Sequence, residues 1–334
     1  MRSFLFTVLT VLIALAAGFA IVLVVAADPL AAYREFLTGP LQRLARVGRW
    51  LDVAANLTLL GLALVFTFRA NQFSLGAASQ LLVGATCCSL AFRALPAGLP
   101  PLLVLALGIA AAMAGGFLMG LLPGLLKAYL GASEVLTTLM LNAIVPLAIS
   151  LLQVRGRTQA VVLPRISELT GLELGTLHVG FVFALLGVAA TWLILMRTPF
   201  GYELRTTGAN ARFAHYGGIN TKRAVAVSFA LGGALVALVG INLALGSYRG
   251  FGVSVGTFTF DGIVVALLAG NHPLLVPLAA LLYGYLLIGA DAMGQQAAVG
   301  PEVLQVIQAV LILLLGARAW RAVRRANAAT VLKP

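Results

Sequence analysis

Long apolar runs separated by short polar breaks dominate this chain. Residues 4–26, FLFTVLTVLIALAAGFAIVLVVA, carry no charged side chain. As a helix rising about 1.5 Å per residue, such a run crosses a hydrocarbon core of about 30 Å. A cleaved leader is the alternative, but its apolar region spans only about 7–15 residues, so a retained anchor helix is expected. Further runs near 53–68, 73–92, 101–126, 135–153, 179–196, 224–246, 259–270, 274–290 and 302–317 raise the expectation to about ten helices, an all-α membrane protein. Pro146 interrupts the fifth run, and Asn271, His272 and Pro273 follow the eighth. Broken helices at membrane depth are tolerated only against protein or a cavity, and transporters are built with them.

Composition agrees: 61% of the 334 residues are hydrophobic and 10% charged, far from a soluble domain. Charge then supplies orientation. With the N-terminus cytoplasmic, an even number of spans also places the C-terminus inside. The tail over 318–334 carries Arg318, Arg321, Arg324, Arg325 and Lys333 without an acid, which suits that side. The same phase puts 197–223 in the cytoplasm with Arg197, Arg205, Arg212, Lys222 and Arg223. Residues 154–178 then form an external loop after a first half (50–153), and the second half spans 224–317. Arg34, Arg43, Arg46 and Arg49 fall outside, where Leu41, Leu44, Val47 and Leu51 repeat at helical steps. A helix lying on the membrane surface and an ordinary solvated loop helix both fit that pattern.

Several chemistries are excluded. No G-x-x-x-x-G-K-[ST] loop occurs, and none of the lysines, at 127, 222 and 333, follows a glycine, so ATP would have to be used by another subunit. Cys87 and Cys88 are adjacent and His178, His215 and His272 scattered, which fits neither a disulfide framework nor a metal site. The three histidines are predicted in loops or at helix ends, so no nucleophile and base converge within the membrane and an enzyme is not expected. Glu134, Asp261, Asp291 and Glu302 lie at predicted helix ends, as caps or as solute contacts. Asn56, Gln80, Asn142 and Asn242 lie inside spans. They suit a path for a neutral, hydroxyl-rich solute, and interhelical hydrogen bonding explains them equally.

The segment LRTTGANARFAHYGGINTKR (204–223) interrupts this pattern. Asn210 can cap a short helix over Ala211–Tyr216, and Gly217 and Gly218 can stop it. So short a helix is unstable alone and needs a docking partner. Phe213, Tyr216 and Arg212 supply aromatic and charged anchors of the kind that fill a protein groove.

GANARFAHYGGINTKRAVAVSFALGGALVALVG (208–240) resembles the coupling loop and following helix of permease subunits from bacterial ABC importers for nucleosides and simple sugars. FRANQFSLGAASQLLVGA (68–85), GASEVLTTLMLNAIV (131–145) and FTFDGIVVALLAGNHPLLVPLAALLYG (258–284) resemble the same family in the same order. The resemblance implies two inverted-topology halves, as in ribose and vitamin B12 importers, in the bacterial cytoplasmic membrane. It implies a coupling helix over 208–219, with Gly208, Asn210, Arg212, Phe213, Tyr216 and Gly217 at the ATPase. Phe73, Gln80, Asn142 and Asp261 are expected near the translocation path. The implied partners are an ATPase subunit that uses ATP and magnesium, a second, non-identical permease subunit and an extracytoplasmic substrate-binding lipoprotein, with membrane lipid around them. Neither a cofactor of its own nor nucleic acid is expected. An ion-gradient-driven transporter is the alternative. LGAASQLLVGA (75–85) and FDGIVVALLAG (260–270) echo each other as inverted repeats would. The chain departs from the family's Phe-Asn-Ile-Gly-x-Glu-Gly-Gln pattern, with Ser74 and Ala78 in place of Asn and Glu, which leaves the solute open.

Overall fold

The computed structural model describes residues 28–96, 99–151, 177, 178, 180–247 and 258–297, with scattered helical positions between 13 and 23 and at 306, 309 and 310. Most of the expected anchor helix, the external loop, the last expected span and the basic tail lie outside the described residues. Regular elements among the described residues are all helical. In chain order they are α1 (Pro29–Thr38), α2 (Leu44–Arg69), α3 (Ala77–Ala94), α4 (Pro101–Leu130), α5 (Glu134–Leu151), α6 (Phe181–Arg197), α7 (Pro199–Ala209), α8 (Ala211–Tyr216), α9 (Thr221–Ile241), α10 (Phe258–Leu268) and α11 (Val276–Ala297). A 3-10 turn at Gly39–Leu41 follows α1, and a π-turn at Asn242–Ser247 continues α9. Six of these segments are long and apolar enough to cross a membrane, and α6 with α7, bent by 73°, would make a seventh. The protein is an all-α, multi-pass membrane protein.

Two compact units divide the chain, residues 1–50 with 282–334 and residues 51–281. In the first, Asp28 caps α1 by accepting from the Ala31 amide at 3.2 Å, and Pro29 opens the helix. Both features favour a start at that point. Glu35 is buried and accepts from Arg46 Nη1 and Gln42 Nε2, each at 2.8 Å. Burial pushes its carboxyl upward, but these hydrogen bonds and the charges of Arg46 and Arg43 outweigh it and hold the pKa below the ordinary value.

The sequence suggested a separate amphipathic helix over residues 41–51. Instead α2 begins at Leu44 and continues unbroken to Arg69, so Arg46 and Arg49 occupy the first turns of a long apolar helix. The physical reason is the absence of any strong breaker: from Leu44 to Arg69 there are two isolated glycines, Gly48 and Gly61, and no proline, and each added residue of a helix gains one backbone bond. Pro146 does not end α5, which runs through it.

In the second unit α9 is the hub. It packs most extensively on α4 and also contacts α3. Gly116 and Gly120 of α4 face Gly233 and Phe229 of α9 so closely that a Cβ on Gly116 would lie 2.4 Å from the Gly233 carbonyl oxygen, and one on Gly120 2.3 Å from that of Phe229. Small residues four apart allow this backbone approach, the usual way helices associate where lipid removes a hydrophobic drive between them. As a result 89% of the apolar core of α9 and its π-turn is buried, against 17% for α4 and 11% for α5.

Candidate coupling surface and translocation path

Three helices in succession, each set by a capping side chain, build the polar segment after α6. Thr198 accepts from the Gly201 amide at 3.2 Å and donates to the Ile194 carbonyl at 2.6 Å, and Pro199 occupies the first turn of α7. The chain therefore turns sharply and starts a new helix where the sequence suggested a loop. Thr198-Pro199 was the available signal, a cap residue followed by the one residue suited to a first helical turn. Asn210 then serves both neighbours. Its amide donates to the Thr206 carbonyl to close α7, and its side chain accepts from the Phe213 amide at 3.0 Å to open α8. Gly217 donates to the Phe213 carbonyl at 2.9 Å, and Gly218 takes φ +81°, a left-handed stop that glycine adopts without strain. Asn220 caps α9 by accepting from the Arg223 amide at 3.0 Å.

Gly208 fixes where this segment sits. A Cβ there would stand 2.0 Å from the Arg69 carbonyl oxygen, so α7 lies directly on the C-terminal end of α2. Helix α8 is attached through Ala214, 1% exposed, while Phe213 is 66% and Tyr216 89% exposed. Arg212 and His215 are exposed beside them. All six residues expected at the coupling surface thus lie on one short, doubly capped segment. Its backbone is satisfied, and Tyr216 lies against the His215 ring, with 6.3 Å between centroids. A cavity of about 240 Å³ opens behind it, lined by Asn71, Gln72, Lys127, Gly208, Asn210 and Lys222 among others.

The residues expected along the path behave differently. Asn142 of α5 donates to the Leu75 carbonyl at 2.6 Å and accepts from the Ser79 amide at 3.0 Å, while Thr138 Oγ1 accepts from the Leu75 amide at 3.2 Å. Together they clamp the extended stretch that enters α3. Thr138 was not anticipated, although its place one turn before Asn142 puts both on one helix face. Gln80 is buried in a void of about 10 Å³ shared with Thr67 and Ser74, space for no more than about one water. Phe73 is partly exposed and stacks on Phe68, the ring centroids 5.6 Å apart. Asp261 is buried in the first turn of α10, which packs on α3. Glu134 accepts an ion pair from Lys127 at 2.7 Å at the start of α5, the favourable end for an acid. No group of three or more His, Cys, Asp or Glu that could hold a metal ion occurs among the described residues.

The described residues thus build an all-helical membrane protein with a capped, aromatic six-residue helix between its apolar segments. The chain belongs to the family described as branched-chain amino acid transport system / permease component, whose profile matches residues 46–316. It is 32% identical to the guanosine ABC transporter permease protein NupP of Bacillus subtilis (strain 168), over 92% of this chain and 91% of that one. It is 29% identical to the nucleoside ABC transporter permease protein NupB of Lactococcus lactis subsp. cremoris (strain MG1363), over 93% and 91%. With the glucose ABC transporter permease protein TsgB13 of Haloferax volcanii it shares 31% identity over 92% of this chain and 86% of the other. The protein is therefore an ABC transporter permease of the nucleoside and sugar type.

Proposed function

We propose that this chain forms the translocation path of an ATP-driven importer for a nucleoside or a related sugar-bearing solute, and that α8 docks into a separate ATPase subunit. The observation that carries this reading is the exposure of Phe213 and Tyr216 on a helix whose two ends are capped. Exposed aromatics on an ordered six-residue helix are anchors for a groove, and large aromatic side chains dominate binding energy at such interfaces. ATP and magnesium act in the partner. Closure of the ATPase pair would reach this chain as a rigid-body push on α8 and the helices that flank it. A second, non-identical permease completes the path, and an extracytoplasmic binding lipoprotein delivers the solute, with the whole complex in the bacterial cytoplasmic membrane. Names of relatives favour a nucleoside over a free sugar by two to one. The polar groups of Gln80 and Ser74 suit a neutral, hydroxylated solute.

The test is purification of the tagged chain from its native membrane in mild detergent, with co-purifying proteins identified by mass spectrometry. An ATPase subunit is expected with the intact chain and absent from the Phe213→Ala, Tyr216→Ala double variant. Uptake that collapses when the ion gradient is dissipated at constant ATP would replace this reading with a secondary transporter.

A further inference from the structure

The end of α9 remote from α8 carries a second feature. At Asn242 the helix passes into a π-turn whose residues 242–246 are all buried. A π-turn holds one residue more per turn than an α-helix, is rare, and is found mostly at functional sites. Here side chains from two other segments hold it. Ser247 Oγ donates to Asp52 Oδ2 of α2 at 2.8 Å, and Asp52 Oδ1 lies 3.2 Å from Nδ1 of His178. Asn242 Nδ2 donates to the Gly180 carbonyl at 3.3 Å. Packing leaves no slack: a Cβ on Gly246 would stand 1.9 Å from His178 Nε2, and one on Gly180 2.2 Å from Asn242 Oδ1. His178 is fully buried, and the Asp52 side chain is 7% exposed.

Yet the cluster is not saturated. The Oδ1 atoms of Asn56 and Asn242 are buried without a hydrogen-bond partner among the described residues. A partly satisfied polar network has less to lose on rearranging than a fully satisfied one.

We infer that Asp52, His178 and Ser247 form a latch that positions the far end of α9, and that the transport cycle opens and closes it. This rests on the reading of α8 as the coupling element. Residues 221–247 form one continuous, largely buried helical segment, about 40 Å long at the helical rise, whose first turn adjoins α8. An axial push at that end has to appear at the other, because the glycine-packed face along α4 permits sliding more readily than bending. Release of the π-turn into α-helical register turns Ser247 by about 100° around the axis, out of reach of Asp52. Hydrogen-bonded and unbonded registers are discrete alternatives, the property an element needs in order to switch. Asp52, His178 and Ser247 are positioning residues: they hold the helix rather than the solute.

The experiment uses the complete complex reconstituted in proteoliposomes, with solute uptake and ATP hydrolysis measured together. ATP-driven uptake by the wild type tests the importer reading by itself, and its absence would overturn that reading. With wild-type transport in hand, Ser247→Ala and Asp52→Asn are compared for solute moved per ATP. Loss of a hydrogen bond to a charged group shifts a two-state equilibrium about tenfold or more. The expected result is therefore a ratio lowered about tenfold, with ATP hydrolysis maintained or raised and complex assembly unchanged. Ser247→Thr keeps the hydroxyl and is expected to restore the ratio. Should Asp52→Asn fail to assemble, Ser247→Ala, which removes a single oxygen, decides. A ratio that stays at the wild-type value in Ser247→Ala, whether both rates fall together or neither moves, overturns the latch.

Discussion

Helix α8 and the stretch entering α3 are both short polar interruptions in an apolar chain, and they spend their polar groups in opposite ways. In α8 every cap is made locally, by Asn210, Gly217 and Gly218, which leaves Phe213, Tyr216 and Arg212 exposed. At the other site Asn142 and Thr138 reach across from α5 to the backbone of Leu75 and Ser79, so the polar side chains are consumed within the protein. A surface that awaits a partner is self-sufficient in hydrogen bonds and unsatisfied only in apolar area. A clamp is the reverse. This contrast favours the proposed docking role of α8, and Asn142 holds the stretch entering α3 in shape.

Sharp consequences follow for substitution. Phe213→Ala with Tyr216→Ala is expected to lower uptake about a hundredfold, since paired anchors at an interface are worth several kcal/mol. Thermal stability of the solubilised chain should hardly change, because exposed side chains contribute little to folding. A large loss of stability instead would show that the aromatics pack inside the chain and would dissolve the contrast. Gly208→Ala should do the opposite. Its Cβ would press on the Arg69 carbonyl, and overpacking against backbone costs about 1–3 kcal/mol, read as a lower unfolding midpoint together with weakened ATPase association.

The short helix α8 was legible in sequence because its signals are local. Asn210 as cap, Gly217 and Gly218 as stop and the aromatics between them lie within nine consecutive positions. Helix existence was legible for the same reason, since apolar runs need no tertiary context. What escaped notice depends on contacts distant in sequence or on competition between neighbouring helices. The tie between Asp52 and Ser247 spans 195 positions, and nothing in either neighbourhood announces the other. The pattern over 41–51 left a surface helix and a solvated loop helix both open, and the continuation into α2 escaped both because amphipathic spacing does not report whether a helix stops. Helix α7 was missed although Thr198 and Pro199 mark its start, because the polar residues after them read equally well as a loop.

The clamp invites a narrower test. Asn142→Ala removes one donor and one acceptor from partly buried backbone groups, a loss of about 2–3 kcal/mol. It should lower the unfolding midpoint, and in a complex that still assembles it should reduce maximal uptake with little change in the solute concentration for half-maximal rate. A selective rise in that concentration would instead make Asn142 a solute contact. Glu35 gives a parallel case in the other unit, where a buried carboxylate is consumed by Arg46 and Gln42. Its pKa lies below the ordinary value. The stabilisation is thus fully present above the unfolded-state value of about 4.3 and is lost as pH falls through the depressed folded-state value. Wild-type protein should lose stability on acidification through that window, and Glu35→Gln should show a flatter acid limb.

The smallest expected effect discriminates best within α8 itself. Asn210→Ala removes the acceptor for the Phe213 amide, and loss of such a cap costs about 1 kcal/mol, whereas Asn210→Gly costs a few tenths. A six-residue helix has almost no intrinsic stability to absorb this, so the anchors Phe213 and Tyr216 would be presented in an ordered geometry only part of the time. Uptake should fall about fivefold in Asn210→Ala and less than twofold in Asn210→Gly, with the unfolding midpoint of the whole chain unmoved, since α8 contributes little to the core beyond Ala214. Tight ATPase binding should largely rescue the defect when the partner is supplied in excess, because a groove that selects the helical form supplies the missing order. If excess ATPase restores nothing, the cap acts through α7 and the Arg69 contact instead, and the self-sufficiency that separates α8 from the clamp no longer describes it.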